Sequence, residues 1–161
     1  MKKIIYILIM IIAFANNSFS AGTSSDSSGN SISYTKAYNL IKAAKKYEKK
    51  GKIEKAQKRY SKAQKLLLES NKKKPLQANT LNYLGFTTRK LGDYEKGETF
   101  YLQGLQIDPN HKGINEYLGE LYVVTNRVDL AKERLEVLKS CKCEEYEELK
   151  QIIEGTKKSK Y

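Results

Sequence analysis

Residues 78–111 read ANTLNYLGFTTRKLGDYEKGETFYLQGLQIDPNH. Leu81, Leu84, Gly85 and Thr88 fall at helical spacing, Leu91-Gly92-Asp93 interrupts it, and Tyr94, Gly97, Tyr101, Gly104 and Leu105 resume it, so the stretch predicts two helices joined by a tight turn. Glycine is a poor helix former, and its presence at Gly85, Gly97 and Gly104 needs a packing reason. Close approach of the two helices supplies one, with large Tyr and Leu side chains set opposite small Gly and Ala residues.

The unit recurs. Leu84-Gly85 returns 34 residues later as Leu118-Gly119, and the same offset pairs Tyr83 with Tyr117, Gly92 with Asn126, Gly97 with Ala131 and Tyr101 with Leu135. Towards the N-terminus, Gly51, Ala56, Tyr60 and Ala63 match Gly92, Gly97, Tyr101 and Gly104 at an offset of 41. Three units are expected, at about 37–77, 78–111 and 112–143. The first carries seven extra residues, expected in a lengthened second helix and the Ser70–Pro75 connection. Beyond them, Glu144 to Glu154 puts Tyr146, Leu149, Ile152 and Ile153 on one face and acidic residues on the other, as a terminal capping helix should. Residues 155–161 are expected to fray as a flexible tail.

The 161 residues include 30 Lys+Arg against 18 Asp+Glu, one His and two Cys. Those counts exclude a polytopic membrane protein, a disulfide framework and a multi-Cys zinc module, and one His cannot supply both base and ligands for metal or triad chemistry. No phosphate loop, paired-His helix or nucleophile elbow occurs, so the chain reads as a non-enzyme that needs no cofactor or metal. Met1-Lys2-Lys3, the apolar run Ile4–Ala15 and the small residues Ser18 and Ser20 have the layout of a secretory signal peptide over 1–20. Twelve apolar residues span only about 18 Å of helix, short of a bilayer. Export follows, to the periplasm if the source is Gram-negative and to the exterior otherwise. Residues 21–33 hold one large apolar residue, Ile32, and are expected to be a flexible linker to a helical domain over 34–154.

On Leu84-Gly85, Gly92, Tyr94, Tyr101 and Asp108-Pro109, on Leu118-Gly119, Tyr122 and Ala131, and on Tyr47, Gly51, Ala56, Tyr60 and Ala63, the chain resembles the tetratricopeptide repeat (TPR) family, and more loosely the small exported TPR proteins of Gram-negative bacteria. It departs from the pattern with Ala43-Ala44 for Leu-Gly, Leu81 for Trp, and no Pro closing the third unit. The resemblance implies an all-α, right-handed helix-turn-helix solenoid of three repeats with a C-terminal capping helix. It also implies a concave groove, lined by the first helix of each unit, that takes a peptide segment of a protein partner. The groove positions it carries over are Tyr38, Ile41, Lys42, Lys45 and Lys49 in unit one, Asn79, Asn82, Tyr83, Phe86, Arg89 and Lys90 in unit two, and Glu116, Tyr117 and Glu120 in unit three. Asn can donate to and accept from a peptide backbone, Tyr and Phe give apolar contact, and Lys and Arg attract carboxylates.

Charge is uneven. Residues 36–74 hold 15 Lys/Arg and 3 Glu, whereas 75–161 hold 13 Lys/Arg and 14 Asp/Glu. The basic first unit is either a solvated face of a lysine-rich protein or a surface for an anionic partner such as an envelope surface; export and the lack of a base-reading motif argue against nucleic acid. Cys141-Lys142-Cys143 leaves three readings open: a disulfide staple between the last repeat and its cap, a redox or metal-handling pair, and a thiol that links to a partner. The oligomeric state is left open.

Overall fold

The computed structural model describes residues 26–159. Those residues form seven α-helices and no strand: α1 Asp26–Glu48, α2 Ile53–Lys73, α3 Ala78–Lys90, α4 Tyr94–Ile107, α5 Lys112–Val124, α6 Val128–Leu138 and α7 Glu144–Ile153. A 3-10 turn, Lys139–Cys141, follows α6. The helices pair in chain order, α1 with α2, α3 with α4 and α5 with α6; α2 packs on α3 and α4 on α5, and α7 closes the stack against α5 and α6. The architecture is the helical solenoid that the repeat implies. The extra residues of the first unit lie in its second helix, since α2 has 21 residues where α4 has 14.

The turns explain why the repeat positions hold those residues. Gly51, Gly92 and Asn126, matched by the repeat offsets, all have left-handed backbone, with φ of +66°, +98° and +59°. Only Gly adopts that region freely, and Asn is the side chain that tolerates it best. A Cβ at Gly92 would meet nothing within 4 Å, so Gly92→Ala should cost only the backbone term, about 1 kcal/mol. Gly92→Asn should cost less, and urea unfolding of the two variants checks the order. Just past this turn Asp93 caps α4, its carboxylate accepting from the Lys96 amide at 3.0 Å.

Glycines inside the helices mark close approaches. A Cβ on Gly97 would lie 3.2 Å from the Gly85 carbonyl oxygen, so α3 and α4 touch through backbone at this point. The ring of Tyr101 fills the hole at Gly85, and Leu149 of α7 fills the matching hole at Gly119. The resulting core runs unbroken through the units, from Ala37 and Ile41 through Tyr60, Leu84 and Tyr101 to Leu118 and Ala131.

Ion pairs tie each unit to the next. Lys90 meets Glu48 at 2.6 Å, Arg89 meets Glu120 at 3.2 Å, and Arg127 holds both Glu98 oxygens at 2.9 and 2.7 Å.

Two boundaries differ from the sequence reading. The stretch 21–33 was expected to be a linker, but α1 begins at Asp26, so residues 26–33 are helical. Once packed turns from Ala37 onward have nucleated α1, each further residue adds a hydrogen bond at little cost, even in a polar segment. The tail also does not fray over 155–159. Gly155 turns the chain at φ +73°, the amides of Thr156 and Lys157 both donate to the Gln151 carbonyl, and Lys157 pairs with Glu148 at 2.8 Å. The expected signal peptide, 1–20, lies outside the described residues, and no helix among them is long and apolar enough to cross a membrane.

Candidate functional site

The concave side of the stack is built on α1, α3 and α5. Two cavities open there. One, of about 640 Å³, is walled by Lys45, Lys49, Phe86, Lys90, Glu48 and the returning tail through Lys157 and Ser159. The other, of about 510 Å³, lies between α3, the α4–α5 turn, α5 and Glu145 of α7.

The expected groove residues divide into three groups. Lys42, Lys49 and Asn79 are exposed, and Tyr38 is 37% exposed. Lys45, Tyr83 and Lys90 are half-buried at the edge of the concavity. Ile41, Asn82, Phe86, Arg89, Glu116, Tyr117 and Glu120 are buried, so their side chains belong as much to the joints between units as to any open surface. Phe86 meets Tyr60 edge to face and Tyr117 at a tilt, with ring centres 5.7 and 5.1 Å apart, linking all three units through one aromatic chain.

Lys45 lines the first cavity. Its ammonium lies 4.5 Å from the Phe86 ring centre and 5.3 Å from that of Tyr117, and it donates to the Tyr117 hydroxyl at 3.1 Å. The ring faces attract the cation and hold it in this position. Burial pushes the phenols of Tyr83 and Tyr117 well above their ordinary range, so both stay neutral hydrogen-bonding groups at any physiological pH.

Beneath this surface lies a polar interior. Arg89, 1% exposed, donates through Nη1 to the Tyr117 carbonyl and through Nη2 to Glu120. Oxygens of Glu116, Glu120 and Glu148 converge to within 4.8 Å of one another. Arg89 meets this cluster from below, while the tail meets it from the side, Lys157 on Glu148 and the Ser159 hydroxyl donating to Glu120 at 3.3 Å. Nothing in the residue pattern of 155–161 signals this return. The tail's described residues bring an ion pair and a hydroxyl contact to the cluster, without any apolar periodicity.

His111 acts as a cap and not as a ligand. Its Nδ1 accepts from the Ile114 amide at 3.1 Å, which leaves the proton on Nε2, 2.9 Å from Asn79 Oδ1. Burial lowers its pKa below the ordinary 6.5, outweighing the opposing pull of Asp108 and Glu145. The unfolded chain therefore takes up this proton before the folded one does. Stability should be intact above 6.5 and decline as pH falls through the lowered folded value. In His111→Asn, which keeps a capping side chain, this part of the acid loss should disappear from thermal melts between pH 7 and 5.

At the junction of α6 and α7, Cys141 and Cys143 are joined in a disulfide with Cα atoms 5.2 Å apart. Lys142 between them has left-handed backbone, φ +46°. The basic residues Lys55, Lys58, Lys62 and Lys65 form an exposed row along α2.

No protein-family model and no curated relative matches the chain. Among solved structures it is similar to the "First TPR of Spaghetti (RPAP3) bound to HSP90 peptide SRMEEVD", with a TM-score of 0.53 and 18% identity over 76% of this chain and 94% of that one. Helix pairs stacked at a period of 34, glycine and asparagine at the matched left-handed turns, and this likeness agree: the fold is that of a tetratricopeptide-repeat domain.

Proposed function

We propose that the chain is a non-catalytic protein-interaction module that holds an extended peptide segment of a partner in the concave surface of α1, α3 and α5, in the cell envelope after export. The observation that carries this reading is the arrangement around Lys45. An ammonium set over Phe86 and Tyr117, with exposed Lys49 beside it, offers charge and aromatic surface together on the wall of a cavity. Extended peptide supplies what such a surface needs, carboxylates for the cations and side-chain methylenes for the rings. That a TPR domain of the same fold was solved with the acidic peptide SRMEEVD supports the reading. Cys141–Cys143 then serves as a staple that fixes the turn between the last repeat and its cap.

Photo-crosslinking in intact cells tests this, from a photoreactive residue placed at exposed Asn79 and separately at Lys49. One dominant protein should be captured from both positions, with at least about tenfold less product in Lys45→Glu and Tyr83→Ala variants that still fold. If folded, exported protein yields no specific product from either position, the groove reading fails.

A further inference from the structure

The second cavity differs in chemistry from the first. It lies where α3, the α4–α5 turn, α5 and α7 meet, and three carboxylates, Asp108, Glu116 and Glu145, line it against one ammonium, Lys112. His111 adds no positive charge, because its Nδ1 is engaged by the Ile114 amide and burial favours the neutral ring. Tyr83 and Tyr117 present aromatic surface to the same space. Asn82 supplies the independent sign of a ligand. It is 5% exposed, lines the cavity, and its carbonyl oxygen has no hydrogen-bond partner. A buried acceptor left unpaired is unfavourable, and a donor entering the cavity would satisfy it.

We propose that this cavity binds the cationic side chain, Lys or Arg, of the segment held in the groove. The assignment rests on the groove reading for the identity of the ligand as peptide. Its chemistry is set by the cavity itself: carboxylates for charge, tyrosine faces for the cation, and the Asn82 carbonyl as an acceptor. The neighbouring cavity is lined by four lysines, Lys45, Lys49, Lys90 and Lys157, against two carboxylates, Glu48 and Glu148, so its balance is positive and the two ends of the concave surface favour opposite charges. A bound segment with an acidic and a basic side chain is therefore held in one direction only, and its reverse sets like charges against each other.

The test is an NMR titration of the full chain with N-acetyl-lysine methylamide, compared with the norleucine and glutamate analogues. The lysine probe should shift the Asn82 side-chain amide and the Gly113 backbone amide saturably. The norleucine probe, similar in shape but uncharged, should bind about tenfold more weakly. Glutamate should leave both signals in place. Glu116→Gln should weaken the lysine probe. Because Glu116 is buried, Asp108→Asn with Glu145→Gln provides a second variant at more accessible positions, with an expected loss of about fivefold. Equal responses to lysine and norleucine, a glutamate response at the same signals, or indifference to both variants would overturn the proposal. The probe is a single residue and reads the cavity without a partner. Partner capture without lysine binding therefore sinks this inference and leaves the groove reading standing, whereas lysine binding without partner capture sinks the groove reading and the peptide identity of the ligand with it, and leaves the cavity's preference for a cationic side chain standing.

Discussion

Arg89→Met is expected to lower the free energy of unfolding by about 3–5 kcal/mol, read from urea or guanidinium melts. The guanidinium is 1% exposed and joins two units at once, donating to the Tyr117 carbonyl and to Glu120 on α5. Methionine fills much of the same volume, so little of the loss comes from packing. What remains is the Glu120 charge, 0% exposed, beside Glu116 and Glu148 with its principal cation removed. The double variant Arg89→Met with Glu120→Met should recover most of the loss, because removing both charges removes the desolvation problem along with the attraction. A single-variant loss under about 1 kcal/mol would mean that the ion pair does not tie the units together.

Gly85→Ala is expected to cost about 2 kcal/mol even though alanine is the better helix former. The propensity gain is about 1 kcal/mol. Against it, the new Cβ would stand 2.5, 2.6 and 2.8 Å from three atoms of the Tyr101 ring. Tyr101 is fully buried, so the ring can move only by disturbing the close approach of α3 and α4, where even a Cβ on Gly97 would lie 3.2 Å from the Gly85 carbonyl. Overpacking at such a site outweighs propensity. Gly104→Ala makes the useful contrast. Its Cβ would crowd only the terminal methyl of Ile114, also fully buried but a single atom at the end of a rotatable side chain where Gly85 meets three atoms of a rigid ring, so its loss should be smaller. Should Gly85→Ala raise the melting temperature, helix–helix contact cannot be what sets glycine at this position.

The same contacts show what the sequence could reveal. The period of 34, the glycine holes and the helix pairing were all legible, because a solenoid repeats its geometry and the residues repeat with it. The extra residues of unit one were also placed in α2, since α2 keeps the helical spacing through them. The division between groove and core was not legible, and α3 and α5 show why. An inner helix packs against its own partner and both neighbouring units, so α3 buries nearly every residue from Thr80 to Arg89 and α5 every residue from Ile114 to Tyr122. On such a helix the 3.6-residue period loses its contrast, and Phe86, Glu120 and Arg89 look like surface positions until their neighbours are known. Outer helices such as α4, with Gly97, Tyr101 and Gly104 buried, keep a readable stripe. The polar cavity was half visible. Asn79, Asn82, Tyr83, Glu116 and Tyr117 were expected to face a ligand, but Asp108, His111 and Glu145 join them only through the turn and the cap.

The hole at Gly119, filled by Leu149, has a meaning for assembly. The end of a helical solenoid is a surface shaped to receive another unit, and an uncovered end can accept the first unit of a second molecule. Contacts of that head-to-tail kind generate rings where the rotation closes and open filaments where it does not. By seating Leu149 at Gly119 and packing on both α5 and α6, α7 covers the face of the last repeat that would otherwise be open to such a contact.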